Sequence, residues 1–430
     1  MKKLFALVAA IMTTAFAVCA DPAVGKPWPG WQKGHFQVHF IYTGVAESMF
    51  WIMPDGTSLL LDCGDHPAVT RGPYAVPVLP GPERLAGDWV ARYVKRVNPF
   101  GTKVDYMMLS HYHADHAGWI RWQSSSPRPK GMKLPCPRSG FALAAEQLTF
   151  ARAIDRAWPD FADPIPAVGG ETGETAEFMA SVYKWLRERD GLKVERFRLG
   201  AGDQIVPLHD PSACAGFSVS NICANGRIVT RDGRVKDLYA DYIARNRPTG
   251  LDENGMSIGT IVRYGAFGFY SAGDFSSTIR GEDGKELSVE CEQAKELGHV
   301  DVAKVNHHGY YSMPEPLVKA LSPRVWVGCI WDYWHMIRPV CERLSDRSIY
   351  PGDRVICPGV FPSSRVREDA GRPWMADIAP EAFAGGHVVL DVQPGGAEYS
   401  VSYLTAADES MMVKSVMKFK SRAFKKANDN

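Results

Sequence analysis

The chain lacks any marked excess of charge of one sign. Its 430 residues include 49 lysines and arginines against 48 aspartates and glutamates, which gives a formal net charge of +1. Such a balance creates no whole-molecule field that would attract nucleic acid or an anionic membrane. We therefore expect a small-molecule or cell-envelope substrate and do not expect long nucleic acid.

Long apolar runs are missing after residue 20, so the sequence predicts no transmembrane helix in that part of the chain. Before that point, Lys2 and Lys3 precede an uncharged stretch that ends at Ala20. A charged start, a short apolar run and the residues Val18 and Ala20 before the cleavage position are typical of a secretory signal peptide. We predict a signal peptide over residues 1–20 and a periplasmic or extracellular protein, with a membrane anchor as the alternative.

Cysteine is sparse, with nine residues in the whole chain, and its spacing matches no zinc ribbon. A chain of this length can bury a proper core without disulfides, although an oxidising compartment permits them. Cys214 and Cys223 are the pair best placed for a disulfide across a hairpin. The alternative is that the cysteines are small buried apolar side chains.

Internal repeats and long low-complexity linkers are also absent, so we predict one domain over residues 21–410. Residues 411–430 form a basic tail that contains Lys414, Lys418, Lys420 and Arg422 among apolar residues. This composition predicts either an amphipathic basic helix or a solvated, frayed terminus.

The apolar pattern within the domain predicts short strands first and strands alternating with helices later, in two successive halves. This order favours an α/β fold in which two mixed sheets are enclosed by helices. Loop-rich insertions are expected over residues 121–175 and 228–254. Strands are predicted at 35–42, 49–53, 58–62, 104–109, 193–199, 257–264, 267–271, 302–305, 325–330, 355–357 and 387–392, and helices at 83–97, around 141–157 and at 176–189.

Three histidines and an aspartate follow the apolar strand at 104–109, in the order His111, His113, Asp115 and His116. Neutral imidazole and carboxylate are ligands that zinc accepts, and imidazole also suits iron. A tight turn after a strand lets the first two histidines point one way and Asp115 and His116 the other. The motif therefore predicts a site for two adjacent metal ions.

His-x-His-x-Asp-His after a strand resembles the signature of the metallo-β-lactamase superfamily. The resemblance covers most of residues 35–395 and implies a four-layer αβ/βα sandwich with loop-rich insertions. Asp62, at the end of Leu59-Leu60-Leu61, resembles the aspartate that braces the histidine loop in that family. Asp274, after Phe269-Tyr270-Ser271-Ala272-Gly273, resembles the aspartate that bridges both metals. The metal ligands that the resemblance implies are His111, His113, Asp115, His116, Asp274 and His307.

The segment Lys304-Val305-Asn306-His307-His308-Gly309, with Asn254-x-x-Ser257 before it, is most similar to the ComEC-type branch of this superfamily. That branch includes the hydrolase domain of bacterial DNA-uptake proteins and related secreted phosphodiesterases. We prefer His307 to His308 as the ligand. His308 then faces the substrate or braces the ligand, while His335 is a leaving-group acid, a substrate contact or a packed histidine. Asp115, His308 and His335 are thus the catalytic candidates.

The chain departs from the family at one position. The usual family has a further histidine between the first motif and the bridging aspartate, and Asn254 stands in its neighbourhood here. His209 is the only histidine in that interval. It either completes the metal site or is an ordinary loop residue. We therefore expect the first metal to be held weakly, with Asp62 and Asn254 as residues that support the ligands.

The resemblance implies a secreted hydrolase that uses one or two Zn²⁺ ions, with Mn²⁺ or iron as alternatives, and attacks with a metal-bridged hydroxide. A phosphoesterase or phosphodiesterase is the preferred function. Hydrolysis of a lactam, a lactone or another acyl bond is the second. A non-catalytic metal-retaining binding or sensor module is the third, but the presence of both Asp115 and Asp274 favours an enzyme, because a structural zinc needs only four ligands.

Overall fold

The computed structural model describes residues 21–66, 78–119, 138–240, 243–244, 251–275, 279–280 and 286–422. The predicted signal peptide and Cys136 lie outside these residues. Within the described ranges, no helix is both long enough and apolar enough to cross a membrane.

Nineteen strands and eight α-helices are found in the described part of the chain. The strands are β1 (Phe36–Phe40), β2 (Ser48–Ile52), β3 (Ser58–Cys63), β4 (Lys103–Met108), β5 (Thr149–Asp155), β6 (Lys193–Arg196), β7 (Phe217–Ala224), β8 (Arg227–Val229), β9 (Val235–Asp237), β10 (Gly259–Tyr264), β11 (Phe267–Ala272), β12 (Ile279–Arg280), β13 (Glu286–Leu287), β14 (Val302–Lys304), β15 (Val325–Gly328), β16 (Val355–Pro358), β17 (His387–Val392), β18 (Glu398–Leu404) and β19 (Val413–Lys420). The helices are α1 (Ala86–Val97), α2 (Ala114–Ala117), α3 (Gly140–Gln147), α4 (Gly170–Asp190), α5 (Val289–Ala294), α6 (Glu315–Leu321), α7 (Arg338–Ser345) and α8 (Ser363–Glu368).

Two large sheets contain all of these strands except β12 and β13, which pair with each other. The first sheet has nine strands in the order β19-β18-β17-β1-β2-β3-β4-β5-β6, and the second has eight in the order β16-β15-β14-β11-β10-β7-β8-β9. In the first sheet β3 to β6 run parallel, and in the second β11, β14, β15 and β16 do. The remaining neighbours in both sheets are antiparallel.

The first sheet is buried on both faces, as β2 shows. Met49 and Trp51 belong to the apolar cluster that also contains side chains of the second sheet. Phe50 and Ile52 belong to the cluster formed with α1, α3 and α4. Because successive side chains of a strand point to opposite faces, this alternation places one core between the sheets and another under the helices. The protein is therefore mixed α/β with two large mixed sheets, which is compatible with the predicted α/β sandwich.

Two local predictions are wrong. Residues 413–420 are neither a helix nor a frayed end, because β19 pairs antiparallel with β18 along its whole length. The helix predicted around 141–157 ends at Gln147, and residues 149–155 form β5, which pairs with β4. In both segments sheet pairing decides the conformation, since local propensity is the weaker influence.

The described cysteines are free thiols, so the predicted bond between Cys214 and Cys223 is not formed. Cys223 is fully buried, and its Sγ accepts a hydrogen bond of 2.8 Å from Gln293 Nε2. This cysteine therefore fits the alternative of a small buried side chain.

Candidate metal centre

The candidate residues gather where parallel strands of both sheets end. The histidine motif follows β4, and Asp62 is the penultimate residue of its parallel neighbour β3. In the second sheet, Asp274 follows β11 and His308 follows β14. Carboxyl ends of parallel strands meet at one edge of a sheet, and here two such edges face each other.

His116 is fixed by two carboxylates on opposite sides of its ring. Its Nδ1 lies 2.8 Å from Asp62 Oδ2, and its Nε2 lies 2.9 Å from Asp274 Oδ2. Asp62 also accepts a 2.7 Å hydrogen bond from the backbone N–H of Ser110, the residue before the motif. With Nδ1 donating to Asp62, Nε2 is the nitrogen that would bind a cation, in place of the proton that it shares here with Asp274. Outer carboxylates orient metal-binding histidines in this way.

His308 presents its ring in the same way from the second sheet. Its Nδ1 lies 2.7 Å from the carbonyl oxygen of Cys329, which accepts the proton that this nitrogen carries. Its Nε2 lies 2.9 Å from Asp274 Oδ2 and 3.1 Å from Asp115 Oδ2. The geometry therefore brings His308, where we preferred His307, into contact with Asp115 and Asp274.

Four buried residues offer ligand atoms that all lie within 4.8 Å of one another, namely Glu47, His116, Asp274 and His308. Ligands at about 2.1 Å from a tetrahedral ion are about 3.4 Å apart, so this spacing suits a metal ion. Oδ1 of Asp274 is buried and has no hydrogen-bond partner among the described residues. We call Glu47, Asp115, His116, Asp274 and His308 the candidate metal cluster. It could bind a metal ion. Its mixture of nitrogen and oxygen donors suits several metals and does not identify one.

Glu47 and Lys304 were missed by the sequence analysis. Lys304 Nζ lies 3.0 Å from Glu47 Oε1 and 3.8 Å from Asp274 Oδ1, and it donates a 2.8 Å hydrogen bond to the carbonyl oxygen of Ala272. Burial lowers the pKa of Lys304, but the carboxylates of Glu47 and Asp274 more than offset it and hold that pKa above its usual range. The signal for both residues was a charged side chain beside or within an apolar strand, which is rare unless the charge is paired.

His111 and His113 lie beside this cluster, with His111 Nε2 3.1 Å from His113 Nδ1. The rings of His111 and His116 are 4.3 Å apart between centroids. Burial, together with the neighbouring His116 and His113, holds the pKa of His111 well below its usual range. His111 is therefore a neutral imidazole, the form that binds metals.

Asn254 lies next to His307, with Asn254 Nδ2 3.4 Å from His307 Nε2. His209 is elsewhere, since its Nε2 is 3.1 Å from Asp105 Oδ2 near the start of β4 and its ring packs on Phe100. The motif follows the other end of β4, so the alternative in which His209 completes the site is excluded.

His335 is buried and stacks on His308, with 4.6 Å between ring centroids. Burial and the neighbouring His308 hold the pKa of His335 well below its usual range, so this ring is neutral. Trp331 packs edge-on against His335 at 4.7 Å and also contacts His66 at 5.0 Å. These rings form an aromatic wall on one side of the candidate metal cluster.

Two polar networks hold the loops of the site. Glu253, the residue before Asn254, accepts a 2.7 Å hydrogen bond from the backbone N–H of Tyr112 inside the histidine motif. Arg156 donates to both oxygens of Glu253 at 2.8 and 2.7 Å. Ser257 Oγ accepts a 2.9 Å hydrogen bond from the backbone N–H of Asp274. The segment 253–257 thus connects the first motif with Asp274.

No protein-family model matches this chain, and no curated protein matches its sequence. The resemblance to the metallo-β-lactamase superfamily therefore stays a prediction from the sequence motifs.

Proposed function

We propose that the chain is a metal-dependent hydrolase with the four-layer αβ/βα sandwich of the metallo-β-lactamase fold. The observation that carries this proposal is the convergence of His116 Nε2 and His308 Nε2 on one oxygen of Asp274, with Asp115 beside them. The two-sheet architecture supports the fold, because each sheet combines antiparallel strands with a parallel series that ends at the cluster.

The residues of the chain hold and orient the cation in this proposal. Asp62 accepts a hydrogen bond from His116 Nδ1, and the Cys329 carbonyl accepts one from His308 Nδ1, so that both rings would hold the ion through Nε2. A bound divalent cation supplies Lewis acidity and activates a water molecule for attack. We assign Zn²⁺ to the site, with Mn²⁺ or iron as the alternatives to be compared, because nitrogen and carboxylate donors accept all three.

Lys304 adds a fixed positive charge behind the cluster. It limits the net negative charge that Glu47, Asp115 and Asp274 would otherwise present to an anionic substrate. His335 is a substrate contact in this proposal, because its buried ring lies directly on His308 and, being neutral, does not carry the proton that a leaving-group acid donates.

We assign a phosphoester as the substrate, most simply a small or envelope-derived phosphodiester. The assignment is supported by the resemblance of Asn306-His307-His308-Gly309 to the ComEC-type branch. The balanced charge of the chain supports a small diester over long nucleic acid.

The test is a substrate screen of purified protein that has been stripped of metal and reloaded with Zn²⁺ or Mn²⁺. Bis-p-nitrophenyl phosphate, a chromogenic cephalosporin and a lactone are offered in parallel, with Asp274→Ala as the control variant. We expect metal-dependent release of p-nitrophenol from the diester and none from Asp274→Ala. Turnover of only the cephalosporin or the lactone identifies an acyl-bond hydrolase instead. Metal binding without any turnover favours the binding or sensor module.

A further inference from the structure

The loop that carries His308 has a strained backbone. We call residues 306–313 the His308 loop. Side chains larger than glycine rarely adopt positive φ values, and such a backbone persists only where its surroundings impose it, mainly at functional sites. Some contact must therefore hold this loop in its shape, because four of its residues have left-handed φ values of 46°, 50°, 48° and 57°, namely His307, His308, Tyr311 and Met313.

Glu290, in α5, contacts both ends of the His308 loop. Its side chain is completely buried. Its Oε1 accepts a hydrogen bond of 2.8 Å from Asn306 Nδ2 and another of 3.0 Å from the backbone N–H of Met313. A single oxygen atom thus joins the first residue of the loop to the last, and this limits the shapes that the backbone between them can take.

The helix that carries Glu290 is itself attached to the second sheet. The Tyr270 hydroxyl in β11 donates a 3.0 Å hydrogen bond to Gln293 Oε1 in α5, and it accepts one of 3.2 Å from Asn306 Nδ2. Asp274 follows the same strand. Glu290 therefore holds the His308 loop relative to the strand that leads into the candidate metal cluster.

Other contacts of the loop involve its carbonyl oxygens. Arg343, which is partly exposed, donates to the carbonyls of Ser312 and Met313 at 2.8 and 2.9 Å, and Met336 N–H donates to the carbonyl of His308 at 2.9 Å. Glu290 instead accepts from a buried N–H. Loss of its oxygen would leave that N–H of Met313 without a partner, which is costly in the interior. The strained loop would then relax and carry His308 with it.

The chemical form of Glu290 suits this role. Burial raises the pKa of Glu290 to about 8, so the side chain is mostly a neutral acid at pH 7. Its Oε2 is buried and has no hydrogen-bond partner among the described residues, and the same holds for Asn306 Oδ1. An acid O–H donates and an amide oxygen accepts, so these two atoms of contacting side chains are complementary. Glutamine offers the same acceptor together with an N–H donor.

We infer that Glu290 is a positioning residue, which keeps the His308 loop in its strained conformation and thereby presents His308 Nε2 to Asp115 and Asp274. The side-chain hydrogen bonds of Glu290 among the described residues go to the loop, so it acts on the candidate metal cluster through His308. This inference rests on the metal site of the proposed function, but it does not depend on which bond the protein hydrolyses.

The experiment combines two measurements on the same set of proteins. In the metal-free protein, amide hydrogen exchange is followed for the His308 loop and for Met336, relative to exchange in β2, which reports the opening of the whole domain. Zn²⁺ is then titrated into each protein in a calorimeter. Glu290→Met is the informative variant, because it nearly keeps the side-chain volume and removes both oxygens. Glu290→Gln is the conservative variant that keeps an acceptor.

Asp301→Leu is the matched control. Asp301 is also a buried carboxyl group that holds backbone N–H groups, those of Gly268 at 3.0 Å and Arg422 at 2.9 Å. It lies immediately before β14, whereas the His308 loop follows the other end of that strand. This variant should therefore lose stability without changing the loop.

In Glu290→Met we expect the relative exchange of the loop amides to become at least about tenfold faster. The affinity for zinc should fall by about 10- to 100-fold, which is the range for loss of an outer partner that orients a ligand. Glu290→Gln should stay within about threefold of the wild-type protein in both measurements, because its amide replaces the neutral acid. Asp301→Leu should keep the wild-type values of both.

Three results would overturn the inference. The first is unchanged relative exchange of the loop in Glu290→Met. The second is wild-type zinc affinity in that variant, and the third is an equal loss of affinity in Asp301→Leu, which would reflect stability alone. If Glu290→Met does not fold, Glu290→Asp, which withdraws the acceptor by one methylene group, is held to the same expectations. Faster loop exchange in a set of proteins that bind no zinc rejects the proposed function and leaves the positioning of the His308 loop intact.

Discussion

Two groups of buried histidine and aspartate in the described part of the chain differ in the hydrogen bonds that their side chains make. The first is a row on the helix-covered face of the first sheet, formed by His35, Gln37, His39, His387 and Asp391, which we call the outer row. The second is the candidate metal cluster. His39 Nδ1 lies 3.0 Å from the Tyr93 hydroxyl, and His39 Nε2 lies 3.2 Å from Gln37 Oε1. Gln37 Nε2 in turn donates to Asp391 at 2.9 Å.

In the outer row the ring nitrogens of His39 are both used by neighbouring side chains. In the candidate metal cluster one nitrogen of each ring is used, by Asp62 for His116 and by Cys329 for His308, and the other nitrogen points at a shared carboxylate. Composition is therefore a poor guide to metal binding inside a fold. The useful criterion is whether lone pairs converge after the structural hydrogen bonds have been made.

The largest contrast should come from removing one fully buried imidazole from each group. If the proposed function holds, His116→Ala should lose bound metal and reduce phosphodiester hydrolysis by several orders of magnitude, because the cation proposed to activate water would be lost. His39→Ala should keep its metal and be destabilised by about 1–3 kcal/mol, since Tyr93 and Gln37 lose partners in the interior. The measurements are the zinc content, the rate of hydrolysis and the free energy of unfolding in urea of both variants. Loss of zinc from His39→Ala would show that the two groups are not separate.

A smaller effect is expected from the charge that stands behind the cluster. Lys304→Met should destabilise the metal-free protein by about 3–5 kcal/mol, because Glu47 is left as a buried charge without its partner. The double variant Lys304→Met with Glu47→Gln should recover much of that loss. Urea unfolding of the wild-type protein, Lys304→Met, Glu47→Gln and the double variant gives the coupling free energy. If Lys304→Met alone is as stable as the wild-type protein, the pair does not hold this region together.

The smallest effect is a difference in acid sensitivity at the outer row. Burial lowers the pKa of both His39 and His387 from 6.5 to about 3. Below pH 6.5 the unfolded chain binds protons at these sites while the folded protein does not, so stability falls as the pH falls. Each histidine should contribute about 1.4 kcal/mol per pH unit between pH 6.5 and about 3.

His39→Gln should remove one such contribution and make the stability of the protein less dependent on pH. The measurement is urea unfolding of metal-free protein between pH 4.5 and 7.5. Above pH 7 the two proteins should show the same pH dependence, which serves as the internal control. Equal slopes below pH 6.5 would mean that His39 is protonated in the folded state.

Much of the fold could be predicted because its strands carry clear apolar patterns. The predicted strands at 49–53, 58–62 and 104–109 overlap β2, β3 and β4 closely. β19 could not be predicted in this way, because Val413–Lys420 alternates lysine with apolar residues in a pattern that also suits a surface helix. Its pairing with β18 is a tertiary interaction that has no local signal.

Residues of the candidate site that lie close together in the sequence could be predicted, and those far apart could not. His111, His113, Asp115 and His116 belong to one turn, so their spacing alone indicated a metal site. Glu47 lies far from that turn in the sequence and is brought to it by tertiary contacts, among them a 2.9 Å hydrogen bond from Glu47 N–H to the Asp115 carbonyl oxygen. The choice between His307 and His308 depended on two left-handed residues, which no composition or spacing indicates.

The position of β1 has a consequence for biosynthesis. β1 lies between β2 and β17, with Phe36 paired to Val392, so its second neighbour is made only when nearly all of the chain has been synthesised. Until residues 387–392 have been synthesised, β1 is an exposed edge strand of the sheet, and its residues are ones that the folded protein buries. An exposed edge strand can pair with another chain. Contacts of such sequence separation also slow folding. We therefore expect a chain that ends before His387 to aggregate unless a chaperone binds it.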